Sequence, residues 1–323
     1  MDIDTLAKGI AAGERRALAR GITLVESARG DHRADATGLL AALPKGREAL
    51  RIGLSGTPGV GKSTFIESFG MMLTRQDLRV AVLAVDPSSS RSGGSILGDK
   101  TRMDQLAREP NAFIRPSPSQ THLGGVALRT REAVTLCEAA GFDVVLIETV
   151  GVGQSETVVA EMSDVFVLLL APAGGDELQG VKRGIMEMAD LIVVNKADGD
   201  LKATASRTCA DYAGALRLLR KRPQDPEGFP RAMMVSAIEE HGLGEVWEAL
   251  LSLTEWRREK GFWDQTRAAQ ARYWFEQAVK QALLEQLDRP TARAALAELS
   301  DKVAAGETDS SAAAQAFVAG LER

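Results

Sequence analysis

Residues 51–64 read Arg-Ile-Gly-Leu-Ser-Gly-Thr-Pro-Gly-Val-Gly-Lys-Ser-Thr, and the rest of the chain is ordered around them. A short apolar run with Ile52 and Leu54 enters Gly56-x-x-x-x-Gly61-Lys62-Ser63, and an amphipathic stretch leaves it. Strand, glycine-rich loop and helix in that order are the context of a phosphate-binding P-loop. The glycines let the backbone curl so that successive N–H groups face one concavity, and the following helix adds the positive end of its dipole. Gly56, Pro58, Gly59, Val60 and Gly61 form the expected cradle, continued by Lys62, Ser63 and Thr64. Lys62 is placed to reach the β- and γ-phosphates as a catalytic cation, and the Ser63 hydroxyl to ligate Mg²⁺.

The 323 residues are 45% hydrophobic and 26% charged, the balance of a soluble globular chain long enough for one large domain with appendages. A net charge of −5 offers no chain-wide basic field for nucleic acid or an anionic membrane. Cys137 and Cys209 lie far apart in helix-like stretches and read as free thiols. His32, His122 and His241 form no ligand cluster. Met1-Asp2-Ile3-Asp4 lacks the basic and apolar regions of a signal peptide, and the apolar run Val165 to Ala171 is too short to span a bilayer. A cytoplasmic location is expected.

Three regions follow from the pattern. Residues 1–48 read as an N-terminal helical extension that packs by default on the main domain, with apolar positions at Leu6, Ile10, Leu18, Ile22 and Val25. Residues 49–258 alternate strands and helices. Strands are expected at 51–55, 79–85, 143–148, 165–170, 191–194 and 232–236, several of them near-continuous Val, Leu and Ile. That alternation predicts an α/β class fold, a three-layer α/β/α domain with a mostly parallel sheet, whose ligands bind beyond the carboxyl ends of the strands. Residues 259–323 are again helical and hold Trp263, Trp274 and Phe275, and a dimer interface is the favoured reading of that extension.

The chemistry falls at strand ends. Asp86 closes the second strand and Glu148 the strongest one; each is a candidate for holding Mg²⁺ beside the P-loop. The Ser- and Gly-rich stretch 87–101 suits a switch around a γ-phosphate, and the Gly151 N–H a second switch donor. Asn195-Lys196-Ala197-Asp198 looks like the guanine-reading motif of GTPases. The Asp198 carboxylate can accept from both N1–H and the 2-amino group of guanine, a donor edge adenine lacks. Lys196 would lie along the base and Asn195 would tie this loop to the P-loop, while Ser236-Ala237 matches the last base-contacting element. Val152 stands where many regulatory GTPases place a water-orienting Gln, so slow intrinsic hydrolysis is expected, with Asp99 the first candidate to orient the water and a further metal-side carboxylate.

Longer signatures surround these motifs: Asp86-Pro87-Ser88-Ser89, the run Gly93 to Met103, Ile114 to Pro118, Glu148 to Glu156, and Gly174-Gly175-Asp176-Glu177-Leu178-Gln179-Gly180-Val181-Lys182-Arg183-Gly184. Together they resemble the methylmalonyl-CoA mutase-associated GTPases, the MeaB/ArgK-type family within the signal-recognition-particle/MinD-like class. Thr57 stands where the MinD-type loop carries a second lysine. The resemblance implies a homodimeric GTPase chaperone that uses GTP/GDP and Mg²⁺. Its partner would be an adenosylcobalamin-dependent acyl-CoA mutase, and cobalamin would be bound by the mutase rather than by this chain. It also makes 174–184 a third switch, with Lys182 and Arg102 as candidate catalytic cations. Other readings compete. A nickel-delivery GTPase would need His-rich tracts or Cys pairs, and an ATP-driven transport accessory is opposed by Asn195 to Asp198. A nucleotide-regulated scaffold with negligible turnover is separated from all of these by phosphate release.

Overall fold

The computed structural model describes residues 2–27, 29–85, 103–116, 123–149, 155–172, 183–287 and 289–321. They fall into two compact units, divided after Gln270. The first opens with three helices, α1 (Ile3–Ala11), α2 (Arg15–Glu26) and α3 (Gly30–Ala42). There follow β1 (Leu50–Ser55), α4 (Lys62–Thr74), β2 (Val80–Val85), α5 (Asp104–Arg108), β3 (Ala112–Arg115), α6 (Leu123–Ala139) and β4 (Val144–Thr149). The second half runs α7 (Ser155–Ala160), β5 (Val165–Leu170), α8 (Arg183–Met188), β6 (Leu191–Val194), α9 (Lys202–Arg217), β7 (Arg231–Met234) and α10 (Leu243–Glu259). Helix α11 (Phe262–Gln286) contributes its first turns to this unit.

The seven strands form one sheet in the order β3-β2-β4-β1-β5-β6-β7, every pairing parallel. Strands β1, β2, β4, β5 and β6 are buried at every position, as strands covered on both faces must be. Ile52, Leu54, Val82, Leu146, Val167 and Val193 point to one face, where Phe65, Phe69, Leu73, Trp247 and Leu250 of α4 and α10 meet them. Phe65 and Phe69 stack at 5.3 Å, and Trp247 meets Phe69 edge-on at 6.1 Å. Each such side chain contributes roughly 1.5–3 kcal/mol by leaving water. The alternate residue Gly53 faces the other layer, where a Cβ would come within 2.4 Å of Ser163 Oγ and 3.0 Å of Val159 in the segment of α7.

The three N-terminal helices belong to this unit and pack on one another and on α6. Arg33 donates to both oxygens of Glu132, at 2.9 and 2.7 Å, and Arg129 Nη1 donates to the Glu26 carbonyl at 2.8 Å. Burial pushes the Glu26 carboxyl above the ordinary carboxylate range, while the Arg115 guanidinium bonded to it pulls the other way. Arg115 ends β3, an edge strand of four residues that the hydrophobic pattern did not foretell.

At the amino ends of the strands the sheet is closed by buried ion pairs. Arg51 donates through Nε and Nη2 to Glu138, both at 2.9 Å, and Arg267 of α11 donates to Asp164 at 3.0 and 2.8 Å. Asp190 accepts from the Phe166 N–H at 2.8 Å, from Arg222 at 2.7 Å and from Arg257 at 2.6 Å. Removing one partner of such a network leaves buried charge uncompensated. Asp190→Ala is expected to cost about 3–5 kcal/mol, measured as a lower urea midpoint with an unchanged slope.

In the second unit α12 (Pro290–Ala304) packs against α13 (Ser310–Leu321), with Ala292, Ala313 and Phe317 buried. Phe275, Val279 and Leu283, four residues apart on α11, are exposed at 69%, 43% and 57% and make one apolar stripe. Among the described residues no helix is long and apolar enough to cross a membrane.

Candidate functional site

At the carboxyl ends of β1, β6 and β7 three loops converge. The first is the glycine-rich turn between β1 and α4. Gly61 caps α4 with φ +88°, a left-handed conformation, and a Cβ there would stand 2.7 Å from Asn195 Nδ2. Gly56 is as tightly placed, since its Cβ would meet the Leu169 carbonyl oxygen at 2.4 Å. With Phe65 N–H donating to Gly61 O as the first helical bond, the N–H groups of Lys62, Ser63 and Thr64 have no intrahelical acceptor and face the loop. Lys62 Nζ donates to Gly56 O at 2.6 Å and so lies back across the turn. Burial pulls its ammonium below the ordinary lysine range, and the carboxylates of Glu148 and Glu156 act in the opposite direction.

Glu148 stands at the end of β4, in register with Leu54 of β1, and is 3% exposed. It and the Ser63 hydroxyl supply oxygen donors. Among the described residues no three His, Cys, Asp or Glu side chains gather into a metal cage. Two protein oxygens beside a phosphate site suit Mg²⁺, which fills its coordination with phosphate and water.

The second loop follows β6. Asn195, 2% exposed, donates from Nδ2 to Val60 O at 3.0 Å and, more weakly, to Gly61 O at 3.4 Å. Its Oδ1 accepts from the Ala237 N–H at 3.1 Å. Lys196 sits in the left-handed region at φ +58° and donates to Gly59 O at 2.7 Å. The third loop follows β7: Ser236 Oγ donates to Asp198 Oδ2 at 2.5 Å, which fixes one edge of that carboxylate, and Ser68 of α4 donates to Ala237 O at 2.7 Å. Asn195 thus bonds to both other loops through one amide. Asn195→Ala should cost about 2–4 kcal/mol from the lost bonds and stranded backbone groups, and should weaken nucleotide retention, both read from thermal melts with and without GDP.

The described nucleotide candidates, Gly56 to Thr64, Asn195, Lys196, Asp198, Ser236 and Ala237, occupy this one cluster of loops together with Glu148. Asp86, Asp99, Arg102, Gly151 and Lys182 lie outside the described residues. Two participants escaped the sequence reading. Ser68 is an ordinary helix-face serine until β7 folds beside it. Glu156, 3% exposed, reads as a dipole-complementing acid in the first turn of α7 until its effect on Lys62 is seen.

A parallel sheet, a glycine-rich loop capping α4 and a guanine-type loop bonded to it define a P-loop GTPase, a class that takes GTP and GDP with Mg²⁺. The sequence profile of the family described as "Methylmalonyl Co-A mutase-associated GTPase MeaB" matches residues 18–292, and the chain belongs to that family. Among its relatives is "GTPase ArgK" of Escherichia coli, 51% identical over 276 residues, covering 85% of this chain and 83% of that one. The "Methylmalonic aciduria type A homolog, mitochondrial" of Mus musculus is 48% identical over 316 residues, covering 94% of this chain and 76% of that protein. A solved structure titled "LAO/AO transport system kinase" superposes with a TM-score of 0.74 at 37% identity, over 99% of this chain and 98% of the other. The chain is a GTPase of this family.

Proposed function

We propose that this GTPase is the chaperone of an adenosylcobalamin-dependent acyl-CoA mutase, with methylmalonyl-CoA mutase the first client to test. In this role its nucleotide state gates cofactor loading and protects or reactivates the mutase. The observation that supports this most is the family match across residues 18–292, in a family named for its association with that enzyme. Cobalamin resides on the mutase, and this chain brings GTP, Mg²⁺ and its switches, working in the cytoplasm.

Within the site, the P-loop N–H groups and Lys62 take the β- and γ-phosphates, and Asp198 reads guanine. Ser63 and Glu148 hold Mg²⁺ with Asp86 and Asp99; Gly151 donates to the γ-phosphate and Asp99 orients the water. Lys182 and Arg102 are the cations that the client brings into play, which makes hydrolysis slow alone and faster in the complex. The stripe of Phe275, Val279 and Leu283 is the homodimer contact. The test is phosphate release from GTP by the chain alone and with apo-methylmalonyl-CoA mutase. Stimulation of at least about tenfold is expected. An unchanged rate at saturating mutase, together with no co-migration on size exclusion, would overturn the client assignment while leaving the GTPase intact.

A further inference from the structure

Strand β7 has two ends with different chemistry. Ser236 and Ala237 follow its carboxyl end at the guanine-type loop, whereas Arg231 begins it on the far side of the sheet. Against that far end, beside the last turns of α9, lies a cleft of about 490 Å³, a volume typical of small-molecule sites. Its walls carry four cations, Arg217, Arg220, Lys221 and Arg231, and no acidic side chain, in a chain whose net charge is −5. None of the four has an ion pair or side-chain hydrogen bond with another described residue. Arg231 Nε is buried with no partner, and its guanidinium lies 4.2 Å from the centroid of the Phe229 ring. Asp190 and Asp225 are already engaged, each bonding to both Arg222 and Arg257.

We propose that this cleft binds a small organic anion with a phosphate-class headgroup and a flat, apolar body. Four like charges around one concavity repel each other and focus a positive potential into it, and an anion relieves both effects. Arginine forks suit phosphate oxygens in particular, because their planar N–H groups match the spacing of two oxygens. Phe229 with Leu216 and Leu219 forms the apolar wall for the body of the ligand. Favourable interaction of cations with the carbonyl end of α9 accounts for Arg217 in its last turn. It does not account for Arg231, which is on a strand. Because the cleft and the guanine-type loop lie at opposite ends of β7, the ligand does not compete with GTP.

The test is calorimetry on the full chain with Mg·GDP saturating the nucleotide loops, titrated with phenyl phosphate, inorganic phosphate and phenol. One phenyl phosphate per chain is expected, bound at least about tenfold more tightly than inorganic phosphate, with phenol silent. Arg231→Met, and separately the exposed pair Arg220→Ala with Lys221→Ala, should each weaken binding about tenfold or more and leave GTP turnover unchanged. The second variant keeps the test valid if the first unfolds. No heat at millimolar phenyl phosphate, or undiminished affinity in the exposed-pair variant, would overturn the site. Equal binding of inorganic phosphate would overturn the flat body of the ligand.

Discussion

Asp198→Asn should lose GTP by about 10³-fold in affinity and gain xanthosine triphosphate in its place. The argument is an inventory of donors and acceptors. An ionised Asp198 accepts only, and guanine offers it two donors, N1–H and the 2-amino group. An Asn amide keeps one acceptor but turns an N–H₂ toward the guanine amine, donor against donor in a partly desolvated site. Xanthine carries a carbonyl at that position, and the amide can donate to it. The Ser236 hydroxyl that now donates to Asp198 Oδ2 at 2.5 Å finds an equivalent oxygen on Asn, so the loop keeps its geometry. Competition of unlabelled GDP and XDP against a fluorescent analogue reads the switch directly. A variant that still prefers guanine by the original ratio would place the base elsewhere.

The sheet was readable because its central strands must be apolar on both faces, which turns them into runs such as Val165 to Leu170 that no half-exposed strand would show. Strand β3 was not readable. Its four residues, Ala-Phe-Ile-Arg, include a charged end whose purpose appears only when Arg115 meets Glu26 across 89 residues of sequence. Boundaries shifted for a related reason: β7 runs 231–234 rather than 232–236, with the Val235 N–H still donating to Val194 O while Ser236 exchanges backbone bonds with His241 across the following turn. In the site, each loop announces itself locally, since glycine spacing and Asn-Lys-x-Asp are short patterns set by phosphate and base chemistry. What sequence does not show is the bonding between loops. Lys196 to Gly59, Ser68 to Ala237 and the charge of Glu156 on Lys62 all depend on long-range closure of a parallel sheet. The buried arginines at the opposite end of the strands were hidden similarly, because Arg51 and Arg257 read as surface charges until their carboxylates are found.

Lys62→Met carries the largest expected effect on turnover, a fall of at least about 10³-fold in single-turnover hydrolysis. Lys62 is the first residue of α4, and its ammonium reaches back to within 2.6 Å of Gly56 O, across the mouth of the loop where the phosphates would sit. Burial already weakens its hold on a proton, with Glu148 and Glu156 opposing that effect. A triphosphate would restore it by surrounding the ammonium with anionic oxygens, so that the cation is most strongly held when negative charge is greatest, as the γ-phosphoryl group departs. Methionine fills nearly the same volume and loses the hydrogen bond to Gly56 O, about 1 kcal/mol, with the long one to Thr57 O at 3.5 Å, so the fold should survive and the nucleotide-free melting temperature should barely move. Arginine is not a milder choice, since its planar fork presents its donors in a different geometry from a compact ammonium. Enzyme in excess of its dissociation constant for GTP separates chemistry from binding. Hydrolysis by the methionine variant within about threefold of the native rate would remove Lys62 from the reaction and leave it as a brace for the loop.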